Sequence, residues 1–304
     1  MSFEIELQNI LANDDLKKEE SMKEHTTFKV GGPAKYFVSP KNTTELAAVL
    51  NLCKDYQVPW FLLGKGSNLL VSDCGYDGVV IHLEKYFSGL SCEGNLIKAG
   101  SGAALTALSR FAWQEGLGGL EFAAGIPGSV GGAVVMNAGA YGGEVKDVIL
   151  EATVMTVEGK IEVLSKEELQ LGYRGSCILP NNYTVLDCTF QLNERSKDDI
   201  KKDMDYYNEQ RRLKQPLDKG SAGSTFKRPK GYFAGQLIQE AGLRGYKYGG
   251  AAVSDKHCGF VVNMGEATAT DVWNLIQHVR KTVKENSGVS LEMEVKTLGD
   301  FNEG

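Results

Sequence analysis

Gly125-Ile-Pro-Gly-Ser-Val-Gly-Gly-Ala-Val-Val-Met-Asn-Ala-Gly-Ala-Tyr-Gly-Gly143 is the stretch whose reading decides the fold. Seven of its nineteen residues are glycine, and most of the others are apolar. Glycine lacks Cβ, so its main chain can lie close to a ligand and turn to positive φ at little cost. Flexible linkers are rich in glycine and serine and are polar. An apolar stretch of this kind instead predicts bare backbone packed against something large. A diphosphate-bearing cofactor against main-chain N–H groups is the natural occupant.

A second loop supports that reading. Val58-Pro-Trp-Phe-Leu-Leu63 predicts a buried strand that runs into Gly64-Lys-Gly-Ser-Asn68. Successive small residues can turn several amides toward one anion. This is no Walker loop, because G-x-x-x-x-G-K-[ST] is absent. Gly100-Ser-Gly102 resembles the start of a dinucleotide fingerprint, but Leu105 stands where the third glycine belongs. It is read as a helix entry.

The bulk composition excludes several classes. With 304 residues the chain predicts two or three domains. It carries 42% hydrophobic and 24% charged residues, ordinary for a soluble globular protein. A net charge of −6 argues against a nucleic-acid surface over the whole molecule. No apolar run approaches the roughly 20 residues of a membrane span, and residues 1–24 lack an apolar export core. A cytoplasmic protein, probing no membrane or nucleic acid, is expected. The six cysteines form no C-x-x-C pair and no histidine stands at ligand spacing, so no metal site is expected.

Along the chain, Asn42 caps a helix carrying Leu46, Val49, Leu50 and Cys53. Strands are predicted at Gly78–Leu83, Leu96–Ala99, Leu150–Val157, Lys160–Leu164 and Tyr183–Leu192. Helices are predicted over Leu105–Ala112, Ser196–Leu213, Phe233–Ala241 and Val272–Val283. Strands Gly259–Asn263 and Ser290–Leu298 complete the pattern. The class is α+β in three consecutive parts, 1–85, 86–195 and 196–304.

Three further features carry chemistry. Residues 211–230 hold seven basic residues against one acid, a net of +6 in a chain of net −6. That concentration suits a polyanionic small ligand, or RNA, or a solvated face. Within it, Gly220-Ser-Ala-Gly-Ser224-Thr-Phe-Lys227 puts a hydroxyl on a loop that is not a nucleophile elbow. Tyr173-Arg174-Gly175-Ser176 offers a cation between strands, and Glu294 lies on the last predicted strand, opposite the face of Leu291, Met293 and Val295. Each taken singly also reads as an ordinary turn or surface residue.

In this order the segments resemble the UDP-N-acetylenolpyruvoylglucosamine reductase family, also called UDP-N-acetylmuramate dehydrogenase, in its shorter subtype. The matching pieces are His25-Thr-Thr-Phe28 with Gly31-Gly-Pro33, Leu63-Gly-Lys-Gly-Ser-Asn68, Gly125–Gly132 with Asn137–Gly142, Tyr173-Arg174-x-Ser176, Gly220–Lys227 and Leu291-Glu-Met-Glu-Val295. The resemblance implies a non-covalent FAD in a two-part region of the vanillyl-alcohol-oxidase (PCMH) type: subdomain 1 over 1–85 and subdomain 2 over 86–195. A C-terminal α+β substrate-binding domain over 196–304 follows. NADPH is implied as reductant and UDP-N-acetylglucosamine enolpyruvate as substrate, in peptidoglycan precursor synthesis, by a protein expected to be a monomer.

Carried onto this chain, the resemblance places the proton donor at Ser224, with Arg174 and Glu294 beside the enolpyruvyl carboxylate. Flavin contacts are implied at Gly64, Lys65, Gly66, Ser67, Asn68, Leu69, Gly128, Ser129, Gly132 and Asn137. Substrate contacts are implied at Arg211, Lys214, Lys227 and Tyr173. Arg228 stands where relatives commonly carry Asn. The chemistry fits these residue types. Hydride from flavin adds to the methylene carbon, charge builds toward the carboxylate, and a cation there is worth most in the transition state. An enol needs only a positioned proton donor, and Glu294 could hydrogen-bond the enol acid if its pKa is raised. The rivals are an FAD oxidase of the same fold acting on an alcohol or hydroxy acid, a non-redox sugar-nucleotide-binding protein, and an RNA-binding module.

Overall fold

Local signals set the helices where they were predicted. In this computed structural model, which describes residues 2–301, the Asn42 side chain accepts from Glu45 N at 2.9 Å and starts the helix Thr43–Asp55. Its Leu46, Val49 and Cys53 are buried. The chain forms two units. One gathers residues up to Lys17, Tyr36–Lys65 and Gly78–Arg211; the other gathers Lys18–Lys35, Gly66–Asp77 and the chain from Arg212 onward. Each unit draws on separate stretches of the chain, so the two are interleaved in sequence.

The first unit holds two cores. In one, the helix Thr43–Asp55 packs with Val79 and Ile81. The strand Trp60–Leu63 runs parallel to the chain from Val79 to His82. The other is built on a five-stranded antiparallel sheet in the order Ile161–Ser165, Ile149–Met155, Thr184–Gln191, Leu96–Gly100, Leu90–Glu93. Cys188, Phe190 and Leu192 enter this core, but Leu186, predicted on the same face, lies in the first core, because a register shift opposite Thr153 and Val154 brings Val185 to the sheet's buried face instead. The helices Leu105–Glu115 and Val130–Val135 cover this sheet with Leu105, Leu108, Val130 and Val134. Each such side chain contributes about 1.5–3 kcal/mol by leaving water.

In the second unit the helix Ala269–Ser287 opens with a capping box, Thr268 and Asp271 exchanging hydrogen bonds with each other's main chain. It buries Val272, Leu275, Ile276, Val279 and Val283. A three-stranded antiparallel sheet, Lys247–Tyr248, Ala251–Val253 and Val261–Asn263, shares that core. The final strand is only Lys296–Leu298, paired in parallel with Leu69–Val71. Residues 291–295 keep the predicted alternation, with Leu291 and Val295 buried, but their main chain turns to a different partner, described below. The helix Phe3–Ile10 and the edge strand Leu16–Ser21 escaped prediction. The latter reads Leu-Lys-Lys-Glu-Glu-Ser, a run that looks solvated.

The interleaving has a specific cause. Asn263 donates from Nδ2 to Phe28 O at 3.0 Å, and its Oδ1 accepts from Gly265 N at 2.8 Å and Ala267 N at 3.1 Å. One buried amide thereby ties an early segment to the C-terminal core. Unpaired buried polar groups are costly, about 1–3 kcal/mol each. Asn263→Ala is expected to lower the urea midpoint by an amount equivalent to about 2–3 kcal/mol, with FAD absent; a change below about 0.5 kcal/mol contradicts this role.

Candidate functional site

The two glycine-rich loops meet in the first unit. Gly64 lies so close to Ser129 that an added methyl would overlap the Ser129 hydroxyl. Lys65 is ion-paired with Glu84, whose other oxygen lies 3.4 Å from His82 Nε2. Burial pulls the Lys65 ammonium below its ordinary value. Ser129 caps the helix Val130–Val135, accepting from Gly132 N at 3.2 Å. Val130 N donates to Ala103 O, Gly131 N to Ser101 O, and Gly128 O accepts from Leu105 N, each at 2.8 Å. These amides therefore serve the scaffold, where the sequence led us to expect them facing a diphosphate. What this stretch offers is bare, apolar backbone.

Asn137 and the Tyr173–Arg174 turn are brought together as well. Gly172 N donates to Gly175 O at 3.0 Å, and Gly175 N to Gly172 O at 3.4 Å, so Tyr173 and Arg174 form the two corners. Arg174 has φ +55°, the left-handed conformation that this corner normally reserves for Gly or Asn. Holding a non-glycine residue there costs about 1 kcal/mol. Its guanidinium carbon lies 5.2 Å from the centre of the largely exposed Tyr173 ring.

Arg211, on the helix Lys197–Lys214, is buried in the same unit over Gly125. Burial pulls its guanidinium down, and the Tyr141 hydroxyl to which it hydrogen-bonds works against this. Tyr141 in turn stacks on Tyr207, centroids 5.0 Å apart and planes 12° from parallel. Sequence reading gave no site role to Glu84, Tyr141 or Tyr207, although Tyr141 lies inside the glycine stretch and Tyr207 falls on the inward face of its predicted helix.

The second unit assembles the rest. Gly66 has φ +59°, and a side chain there would overlap the His25 carbonyl; its own carbonyl accepts from Thr27 N at 3.1 Å. Ser67 follows, and Asn68 Nδ2 donates to Glu294 O at 3.1 Å. Leu69 is buried and opens the strand paired with Lys296–Leu298. Ser224 precedes Thr225, which is wholly buried: Thr225 N donates to Gly259 O at 2.8 Å, its Oγ1 accepts from Val261 N at 3.0 Å, and its O accepts from Glu294 N at 2.9 Å. Phe226 bridges Met293, and Lys227 N donates to Glu292 O at 2.9 Å. Ser224 and Glu294 thus stand on adjoining antiparallel main chains. Lys227 Nζ pairs with the Glu292 carboxylate, Arg228 covers the Phe233 ring at 4.0 Å, and Lys214 is exposed.

Among the described residues no group of His, Cys, Asp or Glu could hold a metal, and no helix is long and apolar enough to cross a membrane. Glycine backbone at Gly64 against Ser129, with Lys65 beside it and the buried cation Arg211 hydrogen-bonded to the Tyr141 hydroxyl, fits an anionic cofactor with a large apolar ring system.

Comparison with known proteins gives this site a context. A family model described as an FAD binding domain matches residues 34–165, and one described as the C-terminal domain of UDP-N-acetylenolpyruvoylglucosamine reductase matches residues 215–298. A reductase of that name from Lachnoclostridium phytofermentans is 52% identical, over 97% of this chain and 96% of its own. One from Clostridium perfringens (strain SM101) is 50% identical over 98% of both. The crystal structure of the Thermus caldophilus enzyme superposes with a TM-score of 0.81 at 37% identity, covering 94% of this chain and 98% of that one. A glucose oxidase variant of Phl p 4, at 14% identity and a TM-score of 0.50, shares the fold alone. The fold is accordingly the expected one, a two-part FAD-binding region of the PCMH type with a C-terminal α+β domain. Gly64→Ala should displace Ser129 and weaken flavin retention about tenfold or more, read from the ratio of 450 nm to 280 nm absorbance after gel filtration at about micromolar protein; unchanged retention contradicts the close approach.

Proposed function

The chain belongs to the UDP-N-acetylenolpyruvoylglucosamine reductase family, and from that premise we propose that it reduces UDP-N-acetylglucosamine enolpyruvate to UDP-N-acetylmuramate, with NADPH as reductant and non-covalent FAD. The observation that carries the reading is the clamp on Thr225, which sets Ser224 beside the Glu294 main chain. Bound FAD supplies the hydride that adds to the enolpyruvyl methylene carbon. FAD is held by Gly64, Lys65, Gly66, Ser67 and Leu69, with Gly128, Ser129 and Gly132.

Each proposed catalytic residue has one task. Arg174 stabilises the negative charge that develops toward the substrate carboxylate; losing such a donor costs about 10²–10³ in rate. Ser224 Oγ gives its proton to the α-carbon, the step for which a rigid loop matters most. Glu294 hydrogen-bonds the enol acid. Arg211, Lys214 and Lys227, with Tyr173, hold the diphosphate and sugar, using remote binding energy for positioning. The segments 1–85, 86–195 and 196–304 are proposed as the functional division, and the protein as a cytoplasmic monomer in peptidoglycan precursor synthesis.

The direct test is stopped-flow absorbance of the FAD-loaded protein: bleaching by NADPH, then recovery on adding the enolpyruvyl sugar nucleotide. No recovery with that substrate refutes the assignment. Ser224→Ala is expected to bleach within about threefold of the parent rate and to recover at least about 10²-fold more slowly; equal losses in both halves would remove Ser224 as proton donor. Lys214→Ala is expected to raise KM about tenfold with kcat within about twofold, and the reverse split argues against diphosphate anchoring.

A further inference from the structure

The geometry points to Asn137 as a positioning residue that holds the Tyr173–Arg174 turn, its amide serving the reduction through Arg174 instead of touching flavin. Asn137 is fully buried. Both hydrogens of Nδ2 have acceptors: Gly172 O at 2.9 Å and Glu144 Oε2 at 2.7 Å. Its Oδ1 accepts from Lys146 N at 2.9 Å. A side chain so engaged has its amide turned to protein on every side.

Gly172 is the first residue of the hairpin whose corners are Tyr173 and Arg174. The other flank is anchored to the same neighbouring segment, because Ser176 Oγ donates to Val135 O at 3.0 Å. Asn137 and Ser176 therefore grip the turn from its two ends. Arg174 at φ +55° needs such a grip, since unfavourable backbone conformations persist only where their surroundings over-determine them. Asparagine suits the position for two reasons. It tolerates its own φ of +40°, and it alone among side chains of this size combines two donors with an acceptor. Glu144 is kept in place by Lys146 Nζ at 3.0 Å and by its own capping box with Asp147.

This inference rests on the proposed role of Arg174, so the tests separate the two. Asn137→Asp keeps the shape but turns an acceptor toward two acceptors; Asn137→Gly keeps the backbone conformation and removes the amide. In both, flavin content and bleaching by NADPH are expected to stay within about threefold of the parent, and recovery with the enolpyruvyl substrate to slow by about 10–10², the effect of a small misplacement. Amide hydrogen exchange in peptides covering residues 172–176 is expected to accelerate by about tenfold or more relative to the rest of the chain. Glu144→Gln, which still accepts from Asn137, should change neither rate by more than about threefold. Loss of flavin, equal slowing of both half-reactions, unchanged recovery, or failure of both variants to fold would each overturn the proposal. Arg174→Ala is the separate arm: normal recovery there defeats the role given to Arg174, while the exchange rates still decide whether Asn137 holds the turn.

Discussion

Thr225 is the constraint on which the second unit's half of the site depends. Its amide, hydroxyl and carbonyl are all bonded, to Gly259, Val261 and Glu294, and it has no exposure to solvent. Sliding the loop by one residue would leave several buried groups unpaired, at about 1–3 kcal/mol each. Ser224 is thus carried on a loop with little freedom to move. Glu294 is held on its other side by Asn68, 226 residues away in sequence, so the second half of one glycine-rich loop and the serine loop are tied to the same short segment.

The cations of the basic run at 211–230 meet different surroundings. Arg211 is buried beside Tyr141 in one unit; from Arg212 onward the run belongs to the other. There Lys227 pairs with Glu292 and Arg228 covers Phe233, while Lys214 is exposed. A buried cation whose bonding partner is a hydroxyl, as at Arg211, is suited to an anionic ligand because the ligand can supply a countercharge in a desolvated setting. Lys227 already has a carboxylate and would have to share it. The same composition therefore yields different electrostatic duties residue by residue.

Much of the fold was readable because its causes are local. Asn42 capping its helix, the 3.6-residue period of Val272 to Val283, and the alternation of Cys188, Phe190 and Leu192 all act within a few residues. The readings that changed were those where a distant partner overrode the local pattern. Ser290–Leu298 alternates as a strand should, yet only Lys296–Leu298 finds a strand partner, because residues 292–295 are taken by the serine loop. The amides at Val130 and Gly131 looked available to a phosphate until Ala103 and Ser101 were found to accept from them.

By itself the chain's order of residues determined that the backbone at 64–68 and 125–143 would be rich in glycine and largely bare of side chains, and that a serine, an arginine and a glutamate would sit at 224, 174 and 294 in recognisable motifs, since those properties belong to residue types and their spacing. Only the tertiary structure decided where Asn137, Asn68 and Arg211 direct their polar atoms. Their partners lie far along the chain, and a hydrogen bond between distant residues exists only once the cores on either side have fixed their separation to a few tenths of an ångström.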